Sequence, residues 1–506
     1  MYARPIVPKP ITLSARDGVF TLDDSTPLLA PEPLADLVRE LIGPATGLRF
    51  APGSGGIELE VVDDGALGAE GYRLAVSPDG IRAAGTEAGL RWAVQTLRQL
   101  LPVEVYADKL VPGMRWEVSC VEIVDVPRYE WRGGLLDVAR WCHPLKFLYR
   151  YVDLLAMHKL NRMHLHLTDD QGWRFEVRKY PKLTEVGGWR RESAAGHARE
   201  GRFDGTPHGG WYSQQELRDL VGYAARRGVS IMPEIDVPGH MEAAISAYPW
   251  LGNYPSRQLE VRTSWGISQH ILNVDDATVR FVTDVLDEVV DVFPFEYIHL
   301  GGDEVPPDEW LASESARRRA EAAGLSRVDG LVGWWAGRLA EHLAGHGRRI
   351  AVWDELLDRN PPPGSLVFAW QDASRVAAAQ EAGFRVVAVP QEYAYLDWAE
   401  SNSPDEPLAI RGTLPLSTMY GYRPGDVLGV QGQVWSEYLP TPDLVEYRAF
   451  PRLAAFAEIG WAAPEPRDLA EFTGRLSGHL SRLDVLGVRY RRLDPAGQSQ
   501  SPAGAS

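Results

Sequence analysis

Cysteine is nearly missing: in 506 residues only Cys120 and Cys142 carry a thiol. Two cysteines make no disulfide framework, and these lack the paired spacing of a zinc site, so they are read as two buried thiols. Basic residues are also in short supply, with 52 Lys and Arg against 69 Asp and Glu and a formal charge of −17. That balance argues against nucleic acid and anionic membranes, which need clustered cations, and favours a neutral or cationic ligand. No segment reaches about 18 uninterrupted apolar residues, the length a membrane-crossing helix needs. The opening stretch Met1–Pro10 lacks the apolar core of a signal peptide, so a cytoplasmic location is expected, or a secreted one if the start is truncated. What is present is ordinary for a globular protein: 45% hydrophobic and 24% charged residues. The length suits two domains, one of them large. Seventeen tryptophans stand out, since indole faces suit sugar rings as well as cores.

Residues 1–125 read as a small α+β domain. Short β-like runs fall at 57–62, 71–76 and 81–84, with the turn Ser77-Pro-Asp-Gly80 between the last two. A helix is predicted over 87–101, where Leu90, Ala93, Val94, Leu97 and Leu101 recur at helical spacing. From about Arg128 the pattern becomes strand, loop, helix, repeated. Apolar strands are predicted at 133–136, 163–167, 230–235, 297–300, 350–353, 366–369, 385–389 and 427–431, and helices at 144–158, 214–227, 277–292 and 328–346. Eight strands alternating with helices predict an α/β fold, a (β/α)8 TIM barrel catalytic domain over 126–506. The Gly-, Arg- and His-rich stretch 190–212 reads as an insertion.

In such barrels the active site sits on the loops after the strands. Here those loops carry, in order, Asp137 and Arg140; Asp169 and Asp170; Asp236 and His240; Asp303 and Glu304; Trp353 and Asp354; Trp370; Tyr395 and Asp397; Trp435 and Glu437. The adjacent pair Asp303 and Glu304 follows a strand that breaks at two glycines. A glycosidase using two carboxylates places them on opposite sides of the scissile bond, about 5–10 Å apart. Neighbours in sequence do not naturally flank a sugar, so the pair suggests two different jobs.

Three stretches, 164–174 (HLHLTDDQGWR), 233–240 (PEIDVPGH) and 299–304 (HLGGDE), resemble the β-N-acetylhexosaminidases of glycoside hydrolase family 20. The similarity runs on through Trp353-Asp-Glu355, Tyr395-Leu-Asp397, Trp435-Ser-Glu437 and Phe450-Pro-Arg-Leu453, and the N-terminal part is similar to the family's second domain. The resemblance implies exo-acting, retaining hydrolysis of terminal β-linked GlcNAc or GalNAc by substrate-assisted catalysis through an oxazolinium intermediate, with no cofactor and no metal. It implies that Glu304 is the general acid and base and that Asp303 orients the substrate's 2-acetamido group. Arg140 would fork onto two sugar hydroxyls. Tyr395 would donate to the acetamide oxygen, and Asp397 and Glu437 would accept from hydroxyls at the far end of the ring. Trp353, Trp370 and Trp435 would wall the pocket, and Asp169 with His240 would support the catalytic carboxylates as a dyad. The implied partner is an oligosaccharide or glycoconjugate ending in an N-acetylhexosamine. After Arg140 the family usually has His and an aromatic where this chain has Trp141 and Cys142, which bears on subsite shape.

Other readings stay open. A disaccharide-releasing enzyme of the same fold would keep these residues. A non-catalytic sugar-binding protein would have no need of the acid. A metal-dependent barrel hydrolase would use His164, His166, His240 and Asp303 on zinc, although His164 and His166 lie on the second strand rather than the first, where such a pair is normal.

Overall fold

The computed structural model describes residues 5–462 and 467–493. The N-terminal domain is a six-stranded mixed sheet whose strands run, across the sheet, Thr12–Leu22, Trp116–Asp125, Tyr72–Ser77, Gly80–Gly85, Ile57–Val61 and Leu28–Leu29. Strand Tyr72–Ser77 alternates buried and exposed residues, as a sheet with one covered face requires. The covering elements are helices Glu32–Thr46 and Glu87–Leu100. The second begins where the sequence predicts, because Thr86 caps it by accepting from the Gly89 N–H at 3.0 Å. Thr12–Leu22 gives no strand signal in sequence because it is a largely exposed edge without alternation.

The larger domain is a closed barrel of eight parallel strands: Trp131–Asp137, Arg162–His166, Ser230–Glu234, Tyr297–His299, Arg349–Trp353, Leu366–Ala369, Arg385–Ala388 and Gly429–Val434. Each predicted strand overlaps one of these, and the fold class stands. Parallel strands covered by helices are buried on both faces and so read as short apolar runs. The eighth lies a few residues later than predicted, since its residues 429–434 include two glycines and two glutamines that weaken the apolar signal.

The two domains are joined through buried charge. Arg132, at the start of the first barrel strand, reaches Glu70 of the small domain at 2.6 and 3.2 Å. Lys159 Nζ lies 2.7 Å from Asp125, which also accepts from the Tyr72 hydroxyl and the Trp461 indole. A C-terminal helix, Leu469–Val485, adds Arg482, which donates to the carbonyls of Pro5 and Gln99.

The insertion forms a strap. Its ends pair as Trp189–Arg190 against His208–Gly209. Between them His197 Nε2 lies 3.2 Å from the Ile410 carbonyl and the Ala198 N–H donates to the Tyr438 hydroxyl at 3.1 Å. The strap therefore runs from the second strand's side of the rim to the loops after the seventh and eighth strands.

Candidate active site

The fourth strand stops at His299 because the next residues leave extended backbone. Gly301 and Gly302 have φ of +64° and +89°. A Cβ on Gly301 would fall 1.8 Å from Asp236 Oδ1, so only glycine lets the third and fourth loops approach. Gly302 N–H donates to that same carboxylate at 3.1 Å. Glu304 then adopts φ +48°, uncommon for a non-glycine residue and frequent where backbone strain serves a site. This turn sends Asp303 inward, with its side chain 14% exposed, and leaves Glu304 at the mouth, 35% exposed.

Burial, and then the Asp236 carboxylate, push Asp303 well above the usual carboxylate range. Asp236 itself is raised to about 7, chiefly by burial. His240 is placed between them and Asp169: its Nδ1 is 3.1 Å from Asp169 Oδ1, and its Nε2 lies 3.9 Å from Asp303 and 3.7 Å from Glu304. Burial alone would lower His240, but Asp169 outweighs it and holds the imidazole well above its ordinary value. The predicted dyad is thus assembled.

Asp169 serves a second group as well. Arg140 Nη2 meets it at 2.8 Å, while Nη1 meets Asp137 at 3.0 Å and Glu437 lies 3.9 Å away. Burial works against the charge on both, yet their attraction keeps Arg140 well above and Asp169 well below their ordinary values. The guanidinium also lies 5.2 Å from the Trp435 ring centre.

Beneath this rim is a hub the sequence does not reveal. Glu234, fully buried, has Oε2 2.5 Å from His166 Nδ1 and 3.1 Å from His164 Nε2, and Oε1 2.9 Å from both His299 Nδ1 and Trp353 Nε1. His166 Nε2 continues to Asp169 Oδ2 at 2.9 Å. Burial disfavours the Glu234 charge, but the imidazoles hold it well below the usual range. In sequence Glu234 is one residue of Pro-Glu-Ile-Asp, and nothing there says that three strands aim at it.

The aromatic residues divide into wall and floor. Trp370 stacks on Tyr395 at 5.8 Å and 24°, and its indole donates to Glu355 at 2.8 Å. Trp435 lies 6.3 Å from Tyr395. Trp353 departs from the expected wall: 1% exposed and bonded to Glu234, it is a floor beneath Trp435, 5.9 Å away. Asp397, near Glu437, is pushed up to about 8 by burial and then by that neighbour. Glu355 is another residue without an expected role; burial and then Asp303 raise it to about 8. Asp303 Oδ1, Asp397 Oδ1 and Trp435 Nε1 are buried without a partner in the protein, so the pocket offers polar atoms for a ligand.

Trp141 and Cys142 help seat the strap. Trp141 donates to the Glu437 carbonyl at 3.1 Å and lies under the Arg190 guanidinium at 4.7 Å, and the Cys142 N–H donates to His208 Nε2 at 3.0 Å. The proposed zinc quartet does not converge. Among the described residues, His164 groups with Glu234 and His299, His166 with Glu234 and Asp236, and His240 with Asp236 and Asp303, in overlapping groups of which none holds all four.

A barrel with carboxylates, an arginine and indoles at the C-terminal ends of its strands suits a hydrolase that acts on carbohydrate. Residues 129–464 match the glycosyl hydrolase family 20 catalytic domain and residues 3–126 that family's domain 2, and the chain belongs to this family. It is 36% identical to a β-hexosaminidase of Porphyromonas gingivalis over 99% of its own length and 65% of that protein's. It superposes on the family 20 β-N-acetylhexosaminidase of Streptomyces coelicolor A3(2) with a TM-score of 0.85 and 30% identity, covering 97% of this chain and 98% of that one. The exo β-N-acetylglucosaminidase of Vibrio harveyi, solved in complex with N-acetylglucosamine, matches with a TM-score of 0.85 and 32% identity, over 97% and 79% of the two chains.

Proposed function

We propose that this protein removes single terminal β-linked N-acetylhexosamine residues with retention, using the substrate's own acetamide as nucleophile. The observation that carries this reading is the placement of Asp303 and Glu304 beside one imidazole nitrogen, His240 Nε2, within 3.9 Å of both. Carboxylates adjacent in sequence that share one imidazole suit two different tasks better than opposite faces of one glycosidic bond, which favours an attacking oxygen supplied by the sugar. Glu304, at the mouth, gives a proton to the leaving oxygen as the acetamide carbonyl oxygen bonds to the anomeric carbon and the glycosidic bond breaks. Asp303, beneath, is held above the usual carboxylate range by burial and Asp236; on binding, the acetamide N–H and the positive charge that spreads over the ring draw it into its carboxylate form, which accepts from the one and stabilises the other. Glu304 then takes a proton from water as it attacks the anomeric carbon and the acetamide oxygen leaves. Two inversions give retention.

Single-sugar release is supported by the strap, which ties down the rim beside Glu437, where the far end of the sugar is expected. GlcNAc-terminated chains are the favoured substrates, in keeping with the ligand of the Vibrio harveyi enzyme.

The test is hydrolysis of p-nitrophenyl β-N-acetylglucosaminide and of a GlcNAc disaccharide. Asp303→Ala is expected to lose activity on both. Glu304→Ala should lose about 10²–10⁴-fold on the disaccharide and less on the aryl glycoside, whose phenol leaves with little protonation. Azide should rescue Glu304→Ala and give a β-azide product, and EDTA should change nothing. A silent wild type would instead support a sugar-binding protein, sensitivity to EDTA a metal enzyme, and release of intact disaccharides the disaccharide-releasing reading.

A further inference from the structure

On the outside of the barrel, two neighbouring helices bring three ligating side chains to one point. Asp287 lies in helix Asp276–Val292, which precedes the fourth strand. His342 lies in the last turn of helix Leu331–Gly345, which precedes the fifth strand, and His346 follows it one turn on. The four-residue spacing puts both imidazoles on one helix face. Their Nε2 atoms approach the same oxygen, Asp287 Oδ1, at 2.7 and 3.0 Å. Among the described ion pairs Asp287 meets only these two imidazoles and no lysine or arginine. All three side chains are part-exposed, so an ion has access.

We propose that Asp287, His342 and His346 form a binding site for one divalent transition-metal ion, zinc in the first place, that clamps the two helices together. Two imidazole nitrogens and one carboxylate suit zinc, nickel, cobalt or copper, whereas magnesium and calcium prefer oxygen ligands. Zinc–nitrogen and zinc–oxygen bonds of about 2.0–2.1 Å in a tetrahedron set the ligand atoms about 3.3 Å apart. The two separations from Asp287 Oδ1, 2.7 and 3.0 Å, are shorter than that and the two imidazole nitrogens lie within 4.8 Å of each other, an adjustment within reach of part-exposed side chains. On binding, each neutral imidazole carries its proton on Nδ1 and turns a bare Nε2 to the ion, Asp287 binds as carboxylate, and water completes the shell. The competing reading is a pair of surface hydrogen bonds, with His346 favoured at the helix C-terminus by the helix dipole. The two readings separate on whether metal affinity depends on the pair. The site lies near the start of the fifth strand, at the opposite end of the barrel from Asp303, so it acts on stability and not on the reaction.

The experiment is calorimetric titration of the full-length protein with zinc chloride, alongside thermal melts with and without the ion, for wild type, His342→Ala and His346→Gln. Expected are one binding event per chain that weakens at least about tenfold in each variant, and a zinc-dependent rise in Tm that both variants lose. The metal-free activity and Tm of the variants should match wild type, which separates this site from the histidines near Asp303. Equal isotherms and equal zinc-dependent Tm shifts in all three proteins would overturn the proposal, whatever the reaction proves to be.

Discussion

Asp397 is held with its carboxyl near pH 8 by burial and by Glu437. A carboxyl whose folded value exceeds its unfolded value binds more protons in the native state, between about pH 4 and its own raised value. Its contribution to stability is therefore present at low pH and is lost as pH rises toward 8. Asp397→Asn keeps the shape and removes the titration. We expect its Tm to exceed that of wild type at pH 8, by a free energy of up to about 5 kcal/mol, and to converge with it near pH 4. Calorimetric melts across that range check this, and the same variant should bind substrate more weakly. Most residues that make this pocket were legible one at a time: Arg140, Asp169, His240, Tyr395, Asp397 and Glu437 each follow a strand that its apolar run discloses. Glu234 and Glu355 were not, because their importance lies in what they touch. Glu355 reveals itself only when Trp370, fifteen residues on, donates to it.

Glu234 belongs to the scale of elements, since it holds together side chains from the second, third, fourth and fifth strands. Glu234→Gln keeps an acceptor for the Trp353 indole but removes the charge that keeps His166 protonated against burial. His166 then holds Asp169 less firmly, and with it Arg140 and His240. We expect kcat/KM to fall about 10–100-fold, the usual consequence of removing an outer support of a site. Both KM and kcat should suffer, because the sugar clamp and the acid share Asp169; separate determination of the two tests this. Elements with both faces covered were easy to foresee, as were helices with a clear apolar stripe such as 87–100. The strap was recognised as an insertion but not as a brace, because its anchors are backbone groups and tyrosine and histidine tips that leave no periodic trace.

At the scale of the molecule, the contact between domains rests on charges out of water. Lys159 is fully buried, and burial lowers its affinity for a proton even with Asp125 2.7 Å away. Removing one member of a buried pair leaves the other uncompensated, at a cost of about 3–5 kcal/mol. Lys159→Met should destabilise the protein by that order, seen as a lower midpoint in denaturant with the whole chain unfolding together. The sequence divides cleanly at the change of pattern near residue 125, yet it conceals this dependence, since Glu70, Asp125, Arg132 and Lys159 are far apart along it. A barrel cut away from its leading domain would face water with an arginine and a lysine deprived of their acids, next to the first strand on which ring closure depends. Domain exchange is constrained by that: a chimera that takes one segment from a relative needs the matching ion-pair partners on the other.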